Sequence, residues 1–328
     1  MLSRVADAIY WMNRYIERAE NMARFVDATL QLTLDLPGGS DAQWAALVQL
    51  TGDSARFQER FGKATKDTVL AFFTLDADHL SSIVSCVHAA RENARAVRES
   101  ITAEMWEQVN KFYLLLRTAV ASGSVVEAPH EFFTAVKLAS QLYVGITEAT
   151  LSSGDGWHFG RLGRLLERAD MTARILDAKS LVLRPVTTGD GLPGDDIRWS
   201  AVLRSVSALE MYRKRHGRIT SDQVTEFLIL DREFPRAMHA CVARAEESLH
   251  ALSSTPLGGT FQSIAEQRLG RLRSDLDYAQ LQDIVAGGLH VFLNAFQARL
   301  NDVGAAIFDT FFAVPPMSAP ATSLQNTR

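Results

Sequence analysis

From Val5 to Leu30 the apolar positions fall at Val5, Ile9, Met12, Ile16, Ala19, Ala23, Val26 and Leu30. Steps of four and three residues alternate along this run, the spacing that keeps one stripe of a helix turned toward a neighbour. Pro37-Gly38-Gly39 ends the segment. The same periodicity returns over 41–61, 66–75, 81–121, 130–151 and 158–183, and again over 196–216, 221–252 and 262–313. Breaks are predicted at Ser124–Pro129, Ser152–Gly156, Thr187–Gly194, Gly217 and Thr255–Gly259, where turn-forming residues cluster. No set of alternating strands emerges; Val182–Val186 is the one strand-like run, and it is short and holds Pro185. The pattern predicts an all-α protein. Arg213, Lys214 and Arg215 followed by His216-Gly217 predict a helix carboxyl end with a left-handed glycine cap. From Val314 onward Pro315, Pro316, Pro320 and small polar residues predict a disordered tail over 314–328.

Comparing the chain with itself changes this picture. Residues 14–28 align without gaps at an offset of 150 with residues 164–178, and eight of the fifteen positions are identical: Arg14/Arg164, Glu17/Glu167, Arg18/Arg168, Ala19/Ala169, Ala23/Ala173, Arg24/Arg174, Asp27/Asp177 and Ala28/Ala178. Five of the eight are charged, so the repeat preserves more than a hydrophobic stripe. The expected architecture is a helical bundle of two related halves arising from an internal duplication, with a first repeat over 1–150 and a second over 151–313 packed on it.

On a helix Arg14, Glu17, Asn21 and Arg24 form one row beside the Ile16-Ala19-Ala23 seam. The small alanines let another helix come close and would partly dehydrate Glu17 and Arg24, or Glu167 and Arg174 in the second copy. A carboxylate so placed is stable only when an arginine pairs with it. Both glutamates are therefore expected to be mostly buried, each against an arginine, with the two helices related by a pseudo-two-fold axis. One reading makes these pairs packing elements. The other has arginines face a cavity and bind a carboxylate or phosphate, with Glu17-Arg18 and Glu167-Arg168 as the catalytic candidates.

Two further segments are rich in charge. Arg91, Arg95 and Arg98 lie on one flank of the helix carrying Val84, Val87, Ala90, Ala94 and Val97, with Glu92 and Glu99 nearby. Asp231, Arg232, Glu233 and Arg236 stand beside Phe227-Leu-Ile-Leu230, and Pro235 suits the first turn of a new helix, so a bend is expected there. Arg24, Arg174, Arg91, Arg95, Arg98, Asp231, Arg232 and Arg236 are accordingly the candidates for ligand binding.

Composition narrows the classes. Of 34 basic residues 28 are arginine, the residue whose planar fork grips carboxylates and phosphates. The net charge of -4 excludes a general nucleic-acid surface. Two cysteines, Cys86 and Cys241, are too few for a disulfide framework or a zinc site, and no apolar run approaches a membrane span, so a cytoplasmic setting is expected. Gly189-Asp-Gly-Leu-Pro-Gly194 matches a dinucleotide-loop pattern, but Asp190, Asp195 and Asp196 would repel a pyrophosphate and Pro193 removes an amide donor. Glu247-Ser-Leu-His250 and Glu127-Ala-Pro-His130 have the spacing of a di-metal carboxylate bundle, yet the prominent glutamates are flanked by arginines that compete with a cation. No cofactor or metal is expected.

The two Glu-Arg-Ala segments at 17–19 and 167–169, with Arg91-Glu-Asn-Ala-Arg-Ala-Val-Arg-Glu-Ser-Ile101 and Leu230-Asp-Arg-Glu-Phe-Pro-Arg236, closely resemble the bacterial alpha-E family, an all-helical family named for its Glu-Arg motif. The resemblance covers residues 1 to about 313. It implies companions, a circularly permuted ATP-grasp ligase and a transglutaminase-like protein, and hence a part in ATP-dependent amide or peptide bond formation. The expected role is a partner or peptide-binding subunit; an enzyme acting on the activated or ligated peptide is the alternative. An acidic peptide or a phosphate is the expected ligand, with neither nucleic acid nor membrane as a partner.

Overall fold

The computed structural model describes residues 1–35, 40–50, 52–182 and 195–313, and among them there is no strand. The tail over 314–328, the Pro37-Gly38-Gly39 break, residues 183–186 of the strand-like run and the glycine pattern at 189–194 lie outside the described residues. A first set of helices comprises α1 (Ser3–Asp35), α2 (Ser40–Leu50), α3 (Ser54–Phe61), α4 (Lys66–Leu70), α5 (Ile83–Ala96), α6 (Ala103–Ser122), α7 (Ser124–Glu127) and α8 (Pro129–Thr150). A second set comprises α9 (Asp155–Val182), α10 (Asp195–Ser205), α11 (Leu209–Arg215), α12 (Ser221–Leu230), α13 (Met238–Ser253), α14 (Ile264–Tyr278), α15 (Leu281–Gly287) and α16 (Leu289–Ile307). A π turn follows α4 at Ala71–Leu75, and another follows α16 at Phe308–Phe312.

Several long periodic runs are cut where continuous apolar spacing predicts no break. The run over 81–121 is interrupted between Val97 and Thr102, whose side chain accepts from the Met105 amide and starts α6. The run over 196–216 is cut at Ser207, which holds a left-handed conformation at φ 52, and the last run is divided at Gln280 and at Gly288, with φ 93. Local capping wins here over periodicity. At the end of α11 the glycine cap is corrected: His216 leaves the helix extended, with φ -124 and ψ 127, and its ring stacks on Tyr212. The expected bend over 231–236 is present between α12 and α13.

Helices α1 and α9 run side by side in parallel, tied at their starts by the Met1 amino group and Asp155 and further along by Arg18 and Glu167. Helices α5 and α8 flank α1, with α6 against both; α13 and α16 flank α9, with α14 against both. Helix α2 packs on α9, and α10 packs on α1, so each set reaches across to the central helix of the other. The seam consists of small residues. Ala19, Ala23, Ala169 and Ala173 are fully buried, and a Cβ at Gly163 would stand 2.5 Å from the Tyr10 carbonyl oxygen. Such contact keeps Glu17 and Glu167 almost wholly out of water.

Corresponding devices recur in the two sets. Asp27 pairs with His130 at the start of α8, and Asp177 pairs with His290 at the start of α16. Arg60 holds Asp76 and Asp78, and Arg215 holds Asp231 and Glu233. Cys86 donates to the Leu80 carbonyl at 3.5 Å, and Cys241 donates to the Pro235 carbonyl at 3.4 Å.

Candidate functional site

Glu17 and Glu167, each 1% exposed, face each other's helices across the α1–α9 seam. Arg168 donates from Nε to Glu17 Oε1 at 2.8 Å and from Nη2 to Oε2 at 2.7 Å. Arg18 answers from the other side, donating from Nε to Glu167 Oε1 at 2.5 Å and from Nη2 to Oε2 at 3.0 Å. Each Glu-Arg dipeptide thus sends its arginine to the other's glutamate. Two parallel N–H donors on one carboxylate make the strongest form of this interaction. Arg14 adds a third donor to Glu167 at 2.8 Å, whereas Arg236 adds one to Glu17 at 3.0 Å. The row expected beside the seam is therefore inside it.

These pairings fix the charge states. Burial by itself would raise the Glu17 carboxyl, but Arg168 and Arg236 outweigh it and hold the group well below the usual carboxylate range. For Glu167 burial is likewise overcome by Arg18 and Arg14, which bring it down to about 2. Burial also works against the charge of Arg14, Arg18 and Arg168, yet Glu167 and Glu17 keep all three firmly protonated. Arg236 differs: burial and the neighbouring Arg168 lower its affinity for a proton despite Glu17 and Glu20. Burial pushes the Cys86 thiol up to about 12 and the Cys241 thiol up to about 11, so neither is a nucleophile at neutral pH.

The lowered carboxyl of Glu167 gives a stability expectation with a definite sign. Its folded value lies below the roughly 4.3 of an unfolded glutamate, so its contribution is complete above that pH and is lost as pH falls toward 2. Helical circular dichroism followed from pH 6 to pH 2 should show thermal stability dropping below about pH 4. An unchanged melting temperature at pH 2.5 would contradict the pairing.

One turn further along, Glu20 is surrounded in the same way. Arg24 donates to its Oε1 from Nε at 2.8 Å and from Nη2 at 2.6 Å, Arg236 donates from Nη2 at 2.6 Å, and the Ser140 hydroxyl donates to Oε2 at 2.6 Å. Arg236 also reaches Asn21 Oδ1 at 2.6 Å, and the remaining Nη1 of Arg24 donates to the Ser207 hydroxyl. Arg236 comes from the turn before α13; the corresponding position of the first set, 155 residues earlier and next to the Cys86 acceptor Leu80, is Ser81. The two sides of the seam consequently differ by one buried arginine.

A cavity of about 300 Å³ opens on that side, lined by Glu20, Arg24, Arg168, Ser207 and Arg236 with Val144, Val206, Phe234 and Pro235. A smaller one of about 170 Å³ shares Arg24 and Ser207 and continues to Lys137, Arg204 and Asp27. On the other side a cavity of about 290 Å³ lies between Tyr10, Trp11, Arg14, Asp170, Leu300 and the Phe308–Phe312 turn.

The other candidates are placed as follows. Arg174 pairs with Asp170 on its own helix at 2.8 Å. Arg91 donates to Asn110 at 2.8 Å and lies over the Tyr113 ring, Arg98 lies over Trp106, and the exposed Arg95 reaches Glu92 at 3.4 Å. All three therefore engage α5 and α6 and share no partner with the central carboxylates. Asp231 accepts from the Glu233 and Phe234 amides and shapes the turn that delivers Arg236; Arg232 is exposed and pairs with Asp277 at 3.1 Å. Glu247 pairs with Arg161 at 2.8 Å and His250 with Thr255, so that metal-type spacing is spent on separate partners. Among the described residues no group of three or more His, Cys, Asp or Glu is arranged to hold a metal ion, and no helix is long and apolar enough to cross a membrane. Sequence reasoning did not single out Glu20, Ser140 or Ser207. Glu20 carried a signal, its spacing of four from Arg24; the two serines carried none.

Comparisons with known proteins agree with the helical architecture. A family model described as a predicted alpha-helical domain with a conserved ER motif matches residues 1–312. Uncharacterized proteins of Mycobacterium bovis and of Mycobacterium tuberculosis are 25% identical over 335 aligned residues, which cover 95% of this chain and 37% of each relative. The chain thus spans little more than a third of the curated relatives it matches. No solved structure matches it.

Proposed function

The chain belongs to the Alpha-E family, and from that premise and its polar seam we propose that it is a non-catalytic, peptide-binding partner of an ATP-grasp ligase in an amide-bond-forming system that also includes a transglutaminase-like protein. One observation carries the choice of a binding role: Glu17 and Glu167, the carboxylates of the two Glu-Arg pairs, are held ionised by arginine. Glu17 and Glu167 have their proton affinities lowered, whereas a general acid or base at neutral pH needs a value near 7. The two thiols are shifted the opposite way from a working nucleophile. The reading in which the Glu-Arg pairs perform chemistry on the ligated peptide has no such support. The much greater length of the mycobacterial relatives is consistent with a module that works beside further protein.

The test is reconstitution with the ATP-grasp protein encoded nearest to this chain. The chain alone should release no ADP from ATP. Added at saturation to the ligase, it should lower the KM for the peptide and leave kcat nearly unchanged, because it contributes binding and no reacting group. If both constants stay the same, the partner role is lost; if the chain alone consumes peptide, it is an enzyme.

A further inference from the structure

We propose that the cavity walled by Arg24, Arg168 and Arg236 is a carboxylate site that takes the free C-terminal carboxylate of a peptide. The choice of a peptide rests on the partner role above, whereas the choice of a carboxylate rests on the cavity itself.

Donor capacity is the first argument. A guanidinium carries five N–H groups. Among the described residues, Arg24 uses three on Glu20 and Ser207, Arg168 three on Glu17 and the Pro235 carbonyl, and Arg236 three on Glu17, Asn21 and Glu20. Each keeps two N–H groups in hand at the wall of one cavity. Charge gives the second argument. Three arginines stand against two carboxylates, Glu17 and Glu20, which leaves one positive charge in excess. One carboxylate neutralises it, while a phosphate monoester would bring nearly two negative charges. The remaining wall is formed by Val144, Val206, Phe234 and Pro235 with one further polar side chain, Gln141, and the volume of about 300 Å³ suits a terminal residue with a small aliphatic side chain.

Ser207 supplies an independent observation. The Ala208 amide donates to the Leu203 carbonyl and the Ser207 amide to the Arg204 carbonyl, the bond pattern of a helix end whose left-handed residue is normally glycine. Here that residue is serine at φ 52, a conformation disfavoured for a side chain. Its hydroxyl accepts from Arg24 Nη1, so the unfavourable backbone is used to hold one guanidinium in the cavity wall. The cavity on the opposite side of the seam has Arg14 as its one lining arginine, with Asp170 beside it, and no counterpart of Arg236.

The experiment is calorimetric titration of the whole chain at low salt with N-acetyl-Ala-Ala-Val as the free acid, with its C-terminal amide, and with inorganic phosphate. The acid should bind about tenfold or more tightly than the amide, and added salt should weaken it. Val144→Phe, which fills the cavity and keeps every charge, should abolish binding with helical circular dichroism unchanged. Ser207→Gly should bind the acid several-fold more weakly while melting at the same or a higher temperature, an outcome that a merely structural serine would not give. Equal binding of acid and amide, no heat from the acid up to about 10 mM, or phosphate binding tighter than the acid would each overturn the assignment. Because peptide is titrated without the ligase, a failure here leaves complex formation intact, and a failed complex leaves this site intact.

Discussion

Glu167→Gln is expected to destabilise the chain by about 3–5 kcal/mol, the cost of leaving a buried ionic partner uncompensated. Glutamine keeps the shape and removes the charge. Arg14 and Arg18 would then remain largely buried at the seam without the anion they share, since both direct their Nε groups to Glu167. Their side chains are 16% and 20% exposed, so some water can reach them, which places the effect toward the lower end of the range. Chemical denaturation should show the midpoint falling with an unchanged slope. Arg18→Lys is the companion: it retains a charge and loses the fork, so it should cost clearly less. A loss under about 1 kcal/mol for Glu167→Gln would mean that the pair behaves like a surface salt bridge and does not lock the seam.

The second large effect concerns Gly163. In an ordinary helix, glycine to alanine stabilises by about 1 kcal/mol. At Gly163 the added methyl group would meet the Tyr10 carbonyl oxygen at 2.5 Å, with Tyr10 Cδ2 at 3.1 Å and Arg14 Cγ at 3.2 Å. The oxygen belongs to the backbone of α1 and cannot rotate aside, so α1 and α9 must separate and every Glu-Arg contact between them must lengthen. Gly163→Ala is expected to lose about 1–3 kcal/mol, the usual cost of overpacking, and more if the polar cluster admits water. Gly145→Ala on α8 is the control, because its methyl would meet nothing within 4 Å. The two substitutions should shift the denaturation midpoint in opposite directions, and a shift of the same sign would show that the helices are not held at contact by Gly163.

Much of the frame was legible in the sequence because periodicity and self-comparison report on faces. The stripe through Ile16, Ala19 and Ala23 identified the buried side of α1, and the offset of 150 pointed to α9 as its equal. Charged residues at a dehydrated seam had to be paired, so Glu17, Glu167, Arg18 and Arg168 were recognisable before any coordinates. Periodicity does not name the neighbour, however. Arg91, Arg95 and Arg98 looked much like Arg14 and Arg18 along the chain, yet they engage Asn110, Glu92 and aromatic rings on α6. Nor could sequence show that Arg236 and Ser207 converge on Glu20 and Arg24, from which they are separated by more than 180 residues of chain. The breaks at Val97 and Ser207 were hidden for a related reason, since neither stretch contains the glycine or proline that usually marks a helix end.

The crossed placement of α2 on α9 and of α10 on α1 bears on how the polypeptide can be divided. Neither half encloses its own long helix; each depends on the other to cover it. The connection between them is a short turn at Ser152–Gly154, where the Gly154 amide donates to the Ser152 carbonyl and the Gly154 carbonyl accepts from the His158 amide at the start of α9. A protease cut there removes almost nothing that holds the molecule together, and two fragments would stay bound as a heterodimer through the reciprocal Glu-Arg grips. Either fragment expressed alone would expose an arginine-bearing apolar face and fail to fold, whereas co-expressed fragments would complement one another and melt in a single transition.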